Sequence, residues 1–207
     1  MSSVRLLVLG IIRMHGQAHG YAVQRELSSW RVETWTRVKP GSIYHALKQL
    51  TKEGKLRAVG VEESSEGPSR TLYELTPEGE AEFRRLLEAA LLSVGLEELG
   101  TGIAFLQTLP RQQAIDLLKE QHRRATEICA NLEALMPHFP DRDQPPHTQD
   151  LLALWRGGVA ATAHFTQTLV QRLEAGEYLM ADDGKGMEVG RGVERKRAGE
   201  GLKDLTA

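Results

Sequence analysis

Apolar residues recur at helical spacing from the start of the chain. Val4, Leu7, Val8, Ile11 and Ile12 share one face and predict a helix over 3–14. Gly16 and Gly20 interrupt that pattern and imply a turn. A second helix is predicted from Tyr21 to Trp30, with Val23, Leu27 and Trp30 inward. After a short polar link, Pro40 opens a third, where the missing proline N–H costs nothing. Ile43, Ala46, Leu47 and Leu50 form its apolar stripe, and Gly54 ends it. The period then falls to two. Leu56–Val61 and Arg70–Leu75 read as a two-stranded hairpin around a loop over 63–69. Thr76 and Pro77 supply the cap and first turn of a helix carrying Phe83, Leu87, Ala90, Leu91 and Val94.

The remainder reads as helical. A short helix is expected over 97–107. Pro110 opens a long one to about Met136, with Ala114, Leu118, Ala125, Cys129, Leu132 and Met136 on one stripe. Four prolines make 137–146 a loop. A last helix over 148–175 aligns Leu152, Trp155, Val159, Thr162, Thr166, Leu169 and Leu173. From 181 onward glycine and charge dominate, as in a flexible tail. The expected division is a winged N-terminal unit over 1–92, a helical unit over 93–180 and the tail over 181–207. The fold class expected is mainly α, with three helices and a two-stranded wing at the N-terminus.

Composition narrows the partners. The 207 residues are 41% hydrophobic and 26% charged, ordinary for a globular chain. With 28 acids against 26 bases the net charge is -2, so global charge draws the chain to no polyanion. The single cysteine, Cys129, excludes an intramolecular disulfide framework, and a reducing cytoplasm is expected. The apolar start carries Arg5 and Arg13 and is about half the roughly 20 residues of a membrane span, so no membrane partner is expected.

Charge is nonetheless uneven. Over residues 31–60, Arg31, Arg37, Lys39, Lys48, Lys52, Lys55 and Arg57 face only Glu33 and Glu53. This basic stretch contains the third helix. At about 100° per residue, with Leu47 set toward the core, Ser42, His45, Gln49 and Lys52 fall within about 40° of the opposite direction. Lys48 lies on the flank, and Tyr44 nearer the core with its hydroxyl able to reach the rim. A hydrogen-bonding, basic face of this kind suits a helix in a DNA major groove. Ser42, His45 and Gln49 are assigned to bases; Lys39, Tyr44, Lys48 and Lys52 to phosphates; Arg70 to a phosphate or the minor groove beside the hairpin.

The order of three helices, hairpin and helix is that of a winged helix-turn-helix. These residues also carry a resemblance. The segment Leu6–Leu91 resembles the PadR family of bacterial transcriptional regulators in HGYAVQREL (His19–Leu27), PGSIYHALKQLTKEGKL (Pro40–Leu56) and GPSRTLYELTPEG (Gly67–Gly79). The C-terminal half is similar to that family's longer helical domain in pattern only. The resemblance implies a homodimer on an inverted-repeat DNA operator, usually a repressor, released by a small-molecule effector whose identity the residues do not select. His45 stands where that family often has proline after the tyrosine, so no known operator is borrowed. GPSRT carries one arginine where many relatives are more basic, which implies a lighter wing grip.

The long helices expose apolar stripes that the winged unit offers little surface to cover. A second copy is expected to cover them through Leu118, Leu132, Leu152, Trp155, Val159 and Leu169. Trp155 reads either as a packing residue or as one wall of an effector pocket. His15 and His19 flank glycines, and His122, His138, His147 and His164 show no ligand spacing, so no metal or cofactor is expected. No nucleophile–base–acid set or phosphate-binding glycine loop is present, so no enzyme is expected. The alternative to a DNA-binding regulator is a winged-helix protein-interaction module.

Overall fold

The computed structural model describes residues 2–64, 67–139 and 144–184. The chain opens with α1 (Ser2–His15), β1 (Gln17–His19) and α2 (Gly20–Ser29), then a 3₁₀ turn at Val32–Thr34 and α3 (Pro40–Lys52). Strands β2 (Leu56–Ser64) and β3 (Gly67–Leu75) follow, then α4 (Pro77–Leu91) and α5 (Leu96–Ile103). A 3₁₀ turn at Leu106–Thr108 leads into α6 (Arg111–Leu135), and α7 (Thr148–Glu174) is the last helix among the described residues.

Helix α1 is the centre. Leu6, Leu7, Val8, Leu9, Ile11 and Ile12 are all buried, so its apolar surface extends well beyond one stripe. A helix apolar on most sides is one surrounded by others, and α1 packs on α2, α3, α4 and α5. Val23 and Leu27 of α2, and Ile43, Ala46, Leu47 and Leu50 of α3, complete this core. Gly54 closes α3 at φ +70°, a left-handed position glycine adopts without cost.

The sheet departs from the sequence expectation in having three strands, in the order β1-β3-β2. Residues 17–19, expected as a turn, pair antiparallel with β3 through Gln17↔Glu74, Ala18↔Tyr73 and His19↔Leu72. The hairpin partner Arg57 also stands opposite Glu74. The Glu74 carboxylate therefore accepts from Gln17 (2.9 Å) on one side and Arg57 on the other. The Gln17 bond first, and Arg57 second, hold that carboxyl below the usual range. The hairpin strands also reach further than expected, to Ser64 and from Gly67.

Thr76 joins two parts of the fold. Its Oγ1 accepts from the Gly79 N–H (3.0 Å), capping α4, and donates to the Gly54 carbonyl (2.6 Å) just past α3. Thr76→Ala is expected to lower stability by about 1–2 kcal/mol. The urea midpoint should fall with its slope unchanged, and an unchanged midpoint would refute the cap's contribution.

The helix expected over 97–107 is broken. α5 stops at Ile103, and Phe105 adopts a non-helical backbone (φ -118°, ψ 13°) before the next 3₁₀ turn. The break sends the Phe105 ring inward, 1% exposed, with centroids 5.7 Å from both Trp30 and Phe83. Gly10 makes room: a Cβ there would lie 2.3 Å from Phe105 Cζ. The core then continues across residue 92 to Leu118, Leu169, Leu173 and Met180.

Helices α6 and α7 pack antiparallel on each other. Lys119 pairs with Glu174 (2.7 Å), His122 meets the Ala163 carbonyl (3.0 Å), and Arg156 pairs with Glu133 (2.6 Å). The stripes expected to need a second copy thus cover one another in part. Leu118, Leu152 and Leu169 are buried within one chain, Leu132 and Val159 are half-buried, and Trp155 is 56% exposed. After α7 the chain returns to the start of α6, where Arg111 donates to the carbonyls of Leu173 and Tyr178 (2.8 Å each) and pairs with Asp183. From residue 185 the expected tail lies outside the described residues. Among the described residues no helix is long and apolar enough to cross a membrane, and no group of three or more His, Cys, Asp or Glu is placed to hold a metal ion.

Candidate nucleic-acid interface

Helix α3 is held by its apolar side and by both ends. Arg5 of α1 donates to Glu53 at its C-terminus (2.9 and 2.7 Å) and to Glu82 of α4 (3.3 Å). The hydrogen bonds from Arg5 keep the Glu53 carboxyl below its usual range. At the other end, Ser42 Oγ accepts from the Lys39 N–H (3.1 Å) and donates to the Lys39 carbonyl (2.6 Å).

The outward face follows the helical geometry. Lys39, Tyr44, His45, Lys48 and Lys52 are exposed, while Ser42 and Gln49 are half-buried. Lys39, Lys48 and Lys52 form no ion pair among the described residues, so their charge is uncompensated by the fold itself. Ser42 is the exception to simple angular reasoning. Its hydroxyl spends its proton and one lone pair on the helix start, leaving one acceptor lone pair.

Tyr44, Lys48 and Arg70, far apart in sequence, come together. With Gly20, Tyr21, Thr71 and Tyr73 they line a cleft of about 440 Å³ between α3 and the wing. Tyr44 is 48% exposed, lies against Gly20, and donates to Gln24 Oε1 (3.3 Å). The Arg70 guanidinium sits 4.8 Å from the Tyr21 ring centroid. Arg70 is thereby fixed over an aromatic face at the root of the wing rather than trailing in solvent.

Tyr21 and Gln24 are the residues sequence reasoning missed. Tyr21 opens α2 directly after Gly20 and is 49% exposed, although aromatic. The signal was an aromatic residue on the polar side of a short amphipathic helix. Lys39 and Lys52 do not enter the cleft; they stand at opposite ends of α3, roughly 20 Å apart along its axis. Trp155 is far along the sequence on α7 and contributes nothing to this site. The arrangement offers a row of hydrogen-bonding groups on a helix, flanked by cations on the helix and wing. That is chemistry for a polyanion with readable edges.

Residues 8–85 match the family model described as "Transcriptional regulator PadR-like family". No curated protein matches the chain. Solved structures similar to it include Bacillus subtilis PadR in complex with operator DNA, at 19% identity over 83% of this chain and 94% of that one, with a TM-score of 0.36. The PadR-like transcriptional regulator BC1756 from Bacillus cereus is 19% identical over 84% and 99%, with a TM-score of 0.34. The protein smu.1604c from Streptococcus mutans UA159 is 19% identical over 84% and 97%, with a TM-score of 0.37. At these TM-scores the structural likenesses carry no functional argument. The matched residues 8–85 are the segment that holds α3 and the wing, and it is this segment that is similar to the PadR-like transcriptional regulators.

Proposed function

We propose that this regulator acts as a homodimer on an inverted-repeat DNA operator, as a repressor that an effector releases. The observation that carries the reading is the uncovered face of α3, with His45 and Lys48 exposed and its lysines unpaired. His45 and Gln49 read base edges, with Ser42 limited to accepting one bond. Lys39, Tyr44, Lys48 and Lys52 hold phosphates. Arg70, braced on Tyr21, holds a phosphate at the wing. Residues 1–92 serve DNA binding and 93–180 serve dimerisation, with 181–207 as a tail; a DNA-bound regulator works in the cytoplasm.

Two copies place two α3 helices on half-sites about 34–36 Å apart. The outer side of α7 supports a second copy, because Leu151, Leu154, Trp155 and Phe165 stand between 44% and 71% exposed. Leu132 and Val159 border this surface, while Leu118, Leu152 and Leu169 back it from inside the chain. An effector that changes the tilt of the paired helices removes one half-site and with it the bivalent gain.

Sedimentation at low micromolar concentration tests the pairing. The expected mass is twice 23.0 kDa, and Trp155→Ala with Leu154→Ser should shift the population toward single chains. A 23.0 kDa species for the unaltered protein would overturn the paired half-sites.

A further inference from the structure

The link from α2 to α3, residues 30–39, is longer than the usual turn of a helix-turn-helix and yet is not slack. Trp30 Nε1 donates to Glu26 Oε1 (3.2 Å), and Trp35 Nε1 to the Trp30 carbonyl (3.3 Å). Thr34 Oγ1 donates to the Arg31 carbonyl (2.8 Å), and Thr36 Oγ1 to the Val32 carbonyl (2.9 Å). Val32 and Val38 are buried and anchor the link to the core.

Within this rigid link one residue is strained. Arg31 stands at φ 52° and ψ 42°, in the left-handed region, and among the described residues it is the one residue other than glycine with a positive φ. A side chain there costs free energy that glycine avoids. The Arg31 side chain is exposed and makes no hydrogen bond, ion pair or ring contact among the described residues, so nothing it does inside the chain offsets that strain. Strain kept at such a position points to a use outside the chain.

Two more cations share the link. Arg37 and Lys39 are exposed and form no ion pair among the described residues. Val38 between them is buried, and the backbone is extended at Lys39 (φ -115°, ψ 154°), so Arg37 and Lys39 point to one side, away from the core. The single acid of the link, Glu33, is exposed and pairs with none of the three cations.

We propose that this link is a second phosphate-binding element, which continues the cationic line of α3 past its N-terminal end. Arg31 and Arg37 each hold a phosphate of duplex DNA beyond the groove that α3 occupies, and Lys39 joins the two surfaces. Arginine suits the role because its planar fork takes two phosphate oxygens at once. The hydrogen bonds of the link hold its backbone in place before DNA arrives, which lowers the ordering cost of binding. This role rests on the proposed DNA-binding function.

Fluorescence anisotropy of the full chain on labelled duplex from upstream of its own gene, and on scrambled duplex of equal length, at several salt concentrations, tests the element. In a dimer each arginine makes its contact twice. Arg31→Gly and Arg37→Ala are each expected to weaken binding to both duplexes about thirtyfold near 0.1 M salt and to lower the salt slope by about 1.8. Arg31→Lys, which keeps the charge, should retain most of the affinity. Arg31→Gly should also raise the urea midpoint, because glycine relieves the left-handed backbone, so its weaker binding cannot come from unfolding. A lowered midpoint would overturn the strain at Arg31. Either variant with unchanged affinity, or with lost affinity at an unchanged slope, overturns the element while the unaltered protein still binds. Unaltered protein that binds neither duplex at any salt concentration overturns the DNA-binding function, and the element with it.

Discussion

Phe105→Ala is expected to destabilise the protein by about 3–5 kcal/mol, the cost of emptying a fully buried phenylalanine site. The ring is 1% exposed and lies edge-on to Phe83, at an interplanar angle of 83°. It joins α1, the end of α2, α4 and the α5 link at one point, so no single neighbour can relax into the space. Urea unfolding should show the midpoint falling steeply, and a loss below about 1 kcal/mol would contradict the packing described. Gly10→Ala attacks the same contact from the other side. Its Cβ would lie 2.3–2.8 Å from three ring atoms, and overpacking of this kind costs about 1–3 kcal/mol. Because the two positions touch, Gly10→Ala with Phe105→Leu should be less damaging than the sum of the single changes.

Replacing both Lys48 and Lys52 by alanine is expected to weaken binding to every DNA sequence alike. In a dimer the change is made twice and removes four phosphate contacts. With about 0.9 units of salt slope per contact, affinity near 0.1 M salt should fall on the order of a thousandfold, and the slope by between three and four. His45→Ala and Gln49→Ala should behave differently. Each is expected to cost about 1–3 kcal/mol at particular base pairs and to leave the salt slope nearly unchanged. A Lys48 and Lys52 variant that altered preference without lowering overall affinity would reverse this division of labour.

The helices of the winged segment were legible because their apolar periods are strong and their ends carry proline, threonine and glycine in the right places. The facing of α3 was legible for the same reason, since Leu47 alone fixes the opposite side. Other features were not. β1 is three residues long, without alternation of its own, and exists only because β3 offers it an edge. The burial of Phe105 depends on a break in helical backbone that no periodicity announces, and on a glycine almost one hundred residues earlier. The Ser42 hydroxyl points where the angle placed it, but the local helix start claims it first. The stripes of α6 and α7 were visible, yet a stripe does not say which surface will cover it. Leu118 and Leu169 found theirs within the chain, and Trp155 did not. Tyr21 and Arg70 meet only once α2 and the wing are folded together, which sequence spacing could not show.

DNA reading by α3 is tested most directly by fluorescence anisotropy of DNA from upstream of the protein's own gene, against scrambled DNA of equal length, at several salt concentrations. The expected result is at least about a thousandfold preference for the upstream fragment, with affinity falling as salt rises. Equal affinity for both fragments, at every salt concentration and across operator-length pieces, would contradict it and would favour a winged-helix module that binds protein instead.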